Sequence, residues 1–294
     1  MQPIRPDHIT TDAVRYITKT GLQTAFDVLR LDKIHPHVSG NKWFKLRYYL
    51  EDALQDPQRP VLTFGGAWSN HLLATAAMCH QTGLNCTGII RGGKPESLSK
   101  TLQEAGKRGM QFRFVPRDQY RKKIVPDDLA GHYAVPEGGY GPRGVKGAAT
   151  ILDYAEEKDY THICCAAGTG TMTAGLIEAV TASTRIIGIS VLKNHTGMEN
   201  DIRLLLTGKN ENWEVIHDYH FGGYAKHTPG LFDFMNSFYK QTSIPTDFVY
   251  TGKLLYAITD LATNNYFPDG SKILVIHSGG LQGNDSLQKG TLIY

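Results

Sequence analysis

Lys42, in the stretch Ser39-Gly40-Asn41-Lys42, is placed to work as an amine rather than as a charge. Apolar residues at Trp43, Leu46, Leu50 and Ala53, with Pro57 beyond them, predict a helix over 42–55. A lysine in the first turn of such a helix sits beside unpaired backbone N–H groups and the positive end of the helix dipole, and both disfavour its ammonium form. An amine that gives up its proton can attack a carbonyl carbon. Lys45 lies three residues on, on the same helix face, where a second cation depresses the first amine's pKa further. Most lysines at helix starts are simply solvated, so Lys42 needs partners elsewhere in the chain.

Four further groups of residues supply candidates. Gly168-Thr169-Gly170-Thr171 lies between a predicted strand and a predicted helix, where small residues let backbone N–H groups approach an anion. It is a candidate phosphate cradle, or else a tight turn. It is not a P-loop, because no Gly-Lys-Ser/Thr follows. It is not a dinucleotide fingerprint either: Thr173 stands where the third glycine belongs, and position 190, where an acidic ribose ligand would be expected, is serine. Gly65-Gly66-Ala67-Trp68-Ser69-Asn70-His71 is a second strand-to-helix turn, suited either to receiving a carboxylate or to ordinary helix capping by Ser69 and Asn70. A small phosphate group plus a carboxylate describes amino-acid chemistry on a phosphate-bearing cofactor. Tyr224 and Tyr250 each follow or adjoin a glycine-containing segment, and among fifteen tyrosines each is a packing residue or a proton donor. Ser278-Gly279-Gly280 closes a predicted strand, where open α/β sheets place ligands.

These residues sit at junctions of an alternating pattern. Strands are predicted at 60–64, 86–90, 111–115, 132–135, 162–166, 185–192 and 272–277, interleaved with helices at 71–82, 97–107, 144–157, 172–180, 198–207, 230–240 and 250–264. The run at 185–192 is rich in β-branched residues, as strands buried on both faces of a parallel sheet are. The pattern means an α/β architecture with parallel sheets. A chain of 294 residues with 41% hydrophobic content can bury one large core or two modest ones. Its formal charge of +3 is spread among interspersed signs, and Arg121-Lys122-Lys123 reads as a solvated turn, so no nucleic-acid partner is expected. The polar start of the chain and the lack of a long apolar run lead to the expectation of a cytoplasmic protein with no membrane association. The four cysteines, adjacent at Cys164-Cys165 and flanking a helix end at Cys79 and Cys86, read as small core residues, with neither a disulfide framework nor a metal site.

Together, Ser-Gly-Asn-Lys-x-x-Lys-Leu at 39–46, Ser-Asn-His at 69–71, Gly-Thr-Gly-Thr at 168–171, Val-Tyr-Thr-Gly-Lys at 249–253 and His-Ser-Gly-Gly at 277–280 resemble one family. It is the 1-aminocyclopropane-1-carboxylate (ACC) deaminase and D-cysteine desulfhydrase family of pyridoxal-phosphate (PLP) enzymes, which has the two-domain, tryptophan-synthase β-like fold known as fold type II. The resemblance implies a larger cofactor-binding domain from 1–46 plus 148–294, a smaller inserted α/β domain from 47–147, and a homodimer. It implies that Lys42 holds the cofactor covalently, that Lys45 and the loop Gly168, Thr169, Gly170 and Thr171 bind its phosphate, and that Asn70 lies by the ring hydroxyl. Ser69 and His71, with Asn70, would then face the substrate carboxylate, Thr251 and Ser278 the ring nitrogen, and Tyr224 and Tyr250 the substrate as proton carriers.

The family's ACC deaminases carry glutamate directly after the tyrosine matching Tyr250, and its desulfhydrases threonine; this chain has Thr251. A hydroxyl there leads to the expectation of a weaker electron sink, adequate when the substrate carries a leaving group at Cβ. The expected reaction is therefore β-elimination from D-cysteine or a similar D-amino acid, giving pyruvate, ammonia and sulfide. ACC deamination, a racemase or dehydratase acting on a D-amino acid, and a PLP-binding amino-acid sensor without turnover are the alternatives. Three departures from the family pattern, Trp43-Phe44, Leu72-Leu73 and Met172, alter groups beside the expected site.

Overall fold

Alternating apolar and polar residues at the start of the chain form β1 (Thr11–Ile17), which turns at Gly21 (φ 84°) into β2 (Gln23–Arg30). Then follow α1 (Asn41–Ala53), β3 (Val61–Gly65), α2 (Asn70–Thr82), β4 (Cys86–Arg91), α3 (Lys100–Lys107), β5 (Gln111–Val115), α4 (Arg117–Arg121), β6 (Tyr133–Val135) and α5 (Pro142–Ala149). The remainder comprises β7 (His162–Ala167), α6 (Thr171–Ala179), β8 (Arg185–Ser190), α7 (Met198–Arg203), β9 (Trp213–Ile216), α8 (Pro229–Thr242), α9 (Thr251–Thr263) and β10 (Ile273–His277). This computed structural model describes residues 4–38, 40–156, 158–208 and 210–294; Ser39, which opens the Lys42 motif, and Glu157, where the 144–157 helix was expected to end, lie outside the described residues.

The strands form two sheets, ordered β1-β2-β10-β7-β8-β9 and β5-β4-β3-β6. Every pairing is parallel except β1 with β2, which run antiparallel from Thr11↔Leu29 to Ile17↔Gln23. Alternate residues of the larger sheet feed two cores. Cys164, Ile187 and Val275 pack on one face against Leu231, Phe238 and Leu254 of α8 and α9. Cys165, Ile186 and Leu274 pack on the other face against Phe44, Val145 and Leu176 of α1, α5 and α6. Covering both faces is what a parallel strand requires, since neither face can be left to water. The smaller sheet divides in the same way, with Val61 and Ile90 toward α2 and Leu62 and Ile89 toward Val115 and Tyr120. All four cysteines are free and buried, as small core residues.

Several expected elements differ in extent. β1, β2, α4 and β9 were absent from the predicted series. The 144–157 helix is shorter: α5 starts at Pro142, whose missing N–H suits a first helical position, and ends at Ala149, where the Thr150 hydroxyl donates to the Gly147 carbonyl. Tyr250 does not begin α9 but precedes it as the N-cap, with φ −124° and ψ −70°. The Arg121-Lys122-Lys123 segment is more than a solvated turn, because the Lys123 ammonium pairs with Glu137 and lies 4.2 Å from the Tyr120 ring centroid. Among the described residues no helix is long and apolar enough to cross a membrane.

At the end of β2, buried Arg30 forks onto Asp32 (Nη2 to Oδ2 2.6 Å) and reaches Asp12 (2.9 Å), while Asp32 Oδ1 lies 3.1 Å from His277 Nδ1. Burial pushes the Asp32 pKa up, but His277 and Arg30 outweigh it and hold the carboxyl below its ordinary value. A depressed carboxyl pKa contributes stability that is present above the unfolded-state value and lost as pH falls through the folded-state value. Acid unfolding below about pH 4 should therefore be less steep in Asp32→Asn than in the unsubstituted chain, and an unchanged slope would refute the assignment.

Candidate active site

The start of α1 is clamped to the turn after β10. Gly40 has φ 61°, and a Cβ on it would lie 1.7 Å from the Ser278 carbonyl oxygen; the Asn41 N–H donates to that same oxygen at 3.2 Å. Close approach of two backbones thus fixes where α1 begins. Lys42 Nζ donates to Asn41 Oδ1 at 2.7 Å, while Asn41 Nδ2 points at the Met172 sulfur at 3.3 Å. Met172, a departure from the family pattern, orients the amide that holds the Lys42 amine. Burial, partly offset by Asp247, lowers the Lys42 pKa to about 8, and the ammonium lies 6.0 Å from the Tyr250 ring centroid. Lys45 is buried one turn on, its pKa driven well down by burial and then by Lys42, with no carboxylate among the described residues to offset it.

α6 begins at Gly170, which is left-handed (φ 73°) and has Ile202 Cγ1 2.7 Å from where a Cβ would lie. No side chain caps this helix, so the N–H groups of its first turn are left for a ligand or water. Thr169 and Thr171 pair their hydroxyls at 3.0 Å, and a Cβ on Gly168 would meet the Tyr250 ring at 3.2 Å. Gly138-Gly139 (φ 69° and 71°) joins this loop to Lys45: Cβ atoms there would lie 3.1 Å from Thr169 Cγ2 and 3.1 Å from Lys45 Cβ. This glycine pair was missed in the sequence, although two adjacent glycines before a proline-led helix are a visible signal.

At the head of α2, Ser69 is the N-cap and accepts from the Leu72 N–H at 3.4 Å. Ser99, the N-cap of α3, donates to the Ala67 carbonyl and braces the turn. Asn70 Nδ2 reaches the Gly280 carbonyl at 3.5 Å, and its Oδ1 is buried without a partner. His71 points elsewhere. Its Nε2 lies 2.7 Å from the Thr63 hydroxyl, whose single proton goes to the Val135 carbonyl at 2.8 Å, so Nε2 carries the ring proton. Burial, then the charges of Lys42 and Lys45, holds the imidazole pKa well below its ordinary value. What His71 has left is Nδ1, a buried lone pair without a partner. That is an acceptor, and like a carboxylate oxygen it repels one.

Tyr224 and Tyr250 come together with ring centroids 6.1 Å apart at 72°. Loss of water around the hydroxyls raises both pKa values, so both phenols keep their protons near neutral pH. Tyr224 is reached through a turn of unusual backbone, with φ of 52° at Phe221, 94° at Gly222, 114° at Gly223 and 53° at Ala225. Buried Lys253, one turn after Tyr250 on α9, holds that turn by donating to the His220 and Gly223 carbonyls at 2.8 Å each. Lys253→Met should speed amide hydrogen exchange across 220–225 and leave the sheets protected, with Lys253→Arg restoring part of the protection; unchanged exchange would rule out the staple. Thr251 is fully buried and bonds to the carboxylate of Asp247 at 2.7 Å, and Ser278 is buried in the turn against Gly40. Asp247 and Lys253 were missed as functional candidates; an aspartate four residues before a threonine at a helix start is the spacing that could have pointed to the first.

The residues fit pyridoxal phosphate. Lys45 is a buried amine with no carboxylate beside it among the described residues, one that a phosphate would favour in its ammonium form, and it adjoins an uncapped helix start that offers N–H groups to the same anion. Asn70 Oδ1 is a buried acceptor without a donor, and Lys42 is an amine whose lowered pKa suits attack on an aldehyde. The profile of the family described as "Pyridoxal-phosphate dependent enzyme" matches residues 19–279. A Pyrococcus horikoshii protein, provisionally named a 1-aminocyclopropane-1-carboxylate deaminase, is 28% identical, over 92% of this chain and 89% of its own. The 1-aminocyclopropane-1-carboxylate deaminase of Bradyrhizobium sp. strain BTAi1 is 26% identical, over 83% of this chain and 82% of its own. A solved structure described as an ACC deaminase homologue superposes with a TM-score of 0.77 at 29% identity, covering 88% of this chain and 86% of that one. With the geometry and the comparisons in agreement, the chain belongs to the fold type II family of pyridoxal-phosphate dependent enzymes, alongside the ACC deaminase homologues.

Proposed function

We propose that the chain catalyses β-elimination from a small amino acid, D-cysteine or a close analogue, releasing pyruvate, ammonia and sulfide. Bound pyridoxal phosphate supplies the electron sink that makes a Cα–H bond acidic enough to break. Lys42, with a pKa of about 8, can hold the cofactor and exchange a proton at Cα near neutral pH. Lys45 and the N–H groups at Gly168, Thr169, Gly170 and Thr171 take the phosphate, and Thr251 and Ser278 lie by the ring nitrogen. Ser69 and Asn70 receive the substrate carboxylate, and His71 braces α2 through Thr63. The observation that carries this reading is the tyrosine pair beside Lys42: the two rings stand 6.1 Å apart, the Tyr250 ring lies 6.0 Å from Lys42 Nζ, and both phenols keep their protons, so one is at hand for a departing sulfur at Cβ. ACC deamination, giving 2-oxobutanoate and ammonia, is the second reading, and the names of the relatives favour it. The homodimer and the division into 1–46 with 148–294 and 47–147 belong to the same proposal; the separate β3–β6 sheet supports the division, and light scattering would test the dimer.

The test is 2-oxo-acid release by the PLP-loaded protein given D-cysteine, L-cysteine and ACC separately. Pyruvate from D-cysteine is expected, with Tyr224→Phe lowering its release by roughly 10²–10⁴-fold. A product from ACC alone would overturn the first reading in favour of the second. No product from any of the three, with cofactor bound, would leave an amino-acid sensor.

A further inference from the structure

Asp247 is 0% exposed and lies in the turn that leads into α9. Its Oδ2 accepts from the Val249 and Tyr250 N–H groups at 2.9 Å each, and its Oδ1 accepts from the Thr251 N–H at 2.9 Å and the Thr251 hydroxyl at 2.7 Å. Four donors occupy the lone pairs that a carboxylate has to offer, which leaves no position for a proton of its own to be hydrogen-bonded. The group is therefore a buried anion. The basic side chains that face it are otherwise engaged: Lys42 donates to Asn41, Lys253 to the carbonyls of His220 and Gly223, and His277 Nε2 to the Pro245 carbonyl.

The Thr251 hydroxyl is fully specified by the same turn. Its one proton lies on Asp247 Oδ1, and one of its two lone pairs takes the Asp247 N–H at 2.7 Å. A single lone pair remains, so any group that comes to Thr251 must donate. A neutral pyridine nitrogen can only accept; a pyridinium N–H donates. Asp247 also meets the residues assigned to the cofactor ring: a Cβ on Gly280 would lie 3.6 Å from its carboxylate carbon and 2.9 Å from Asn70 Nδ2.

We propose that Asp247, acting through Thr251, holds the ring nitrogen of the bound pyridoxal phosphate in its protonated, cationic form. The inference rests on the reading that Thr251 lies beside that nitrogen. Asp247 is then a positioning residue, and its negative charge lies one hydrogen bond behind the hydroxyl. The expectation of a weak electron sink, drawn from threonine at 251, is replaced: the missing carboxylate stands four residues upstream.

The experiment is the ring ¹⁵N chemical shift of ¹⁵N-labelled PLP bound to the unsubstituted protein, Thr251→Ser, Thr251→Val and Asp247→Asn, followed across pH. The protonated position is expected for the unsubstituted protein and for Thr251→Ser. In Thr251→Val and Asp247→Asn the nitrogen should lose its proton, its pKa falling by roughly 1–3. A neutral nitrogen in the unsubstituted protein at pH 7, or one that stays protonated in both variants, overturns the inference. If Asp247→Asn does not fold, Thr251→Val alone decides: an unmoved shift overturns the proposal and a moved one supports it. Borohydride trapping of the cofactor followed by peptide mapping is run alongside. Label on a residue other than Lys42 would refute the functional reading itself, whereas label on Lys42 with a neutral nitrogen refutes only the role of Asp247.

Discussion

Lys42→Ala should take up pyridoxal phosphate without forming a bond to it, and turnover should fall by at least roughly 10²–10⁴-fold, the usual weight of a single proton-transfer group. The expectation stands on the amine's surroundings: it is aligned by the Asn41 amide at 2.7 Å, which the Met172 sulfur in turn orients, and burial brings its pKa down to about 8. Because only the neutral amine attacks an aldehyde, the rate of covalent capture in the unsubstituted protein should climb as pH rises through about 8 and level off above it. Lys45 is the control. It is buried beside Lys42, but the repulsion falls on Lys45, whose pKa Lys42 depresses, and burial alone lowers that of Lys42; Lys45→Met should therefore weaken cofactor retention while leaving the climb near pH 8, the reverse of the expectation that Lys45 depresses Lys42. Stopped-flow absorbance after mixing apoprotein with PLP reads both effects. Covalent capture by Lys42→Ala at the unsubstituted rate would remove Lys42 from the chemistry.

Gly40→Ala should be a severely damaging single-methyl change. The added carbon would lie 1.7 Å from the Ser278 carbonyl oxygen and 2.6 Å from the Gly279 nitrogen, both backbone atoms that no side-chain rotation can move. The left-handed φ of 61° adds its own strain. Overpacking and backbone strain together should cost about 2–6 kcal/mol, and whatever relaxes must separate α1 from the turn after β10. Gly21→Ala isolates the backbone part: its φ is 84°, but nothing lies within 4 Å of its Cβ, so only roughly 1–2 kcal/mol should be lost. Urea unfolding of the two variants, with PLP affinity measured for each, tests the difference. Equal losses in both would mean that the Gly40–Ser278 contact holds nothing in place.

What the sequence made legible were features written in local spacing. Lys42 at a helix start, the Ser69 cap and the turn at 168–171 before α6 each depend on a few adjacent residues, and the alternation of apolar runs identified seven of the ten strands among the described residues. The β1–β2 hairpin was locally visible too, in the alternation ending at Val14 and Tyr16 and in Gly21, but it breaks the βαβ rhythm of the rest of the chain. β9 is four half-buried residues, too few for periodicity to register. The site residues that escaped notice act through distant partners. Lys253 holds carbonyls some thirty residues upstream, and Gly138-Gly139 matters only because Lys45 and Thr169 close on it from either side. His71 shows the converse. Its motif pointed to the substrate, whereas the Thr63 hydroxyl, committed to β6, turns its protonated nitrogen into the small sheet's core.

The position of β10 has a consequence for synthesis. It lies between β2 and β7, so the larger sheet is joined across its middle by the strand that comes latest among the described residues. While the ribosome is still translating residues before 273, β1 and β2 have no parallel neighbour to pair with, and the Ser278 carbonyl against which Gly40 docks does not yet exist. The β3–β6 sheet, contiguous from Val61 to Val135, can close long before. Capture of the cofactor is thereby reserved for a chain that has been made past the turn that carries Ser278.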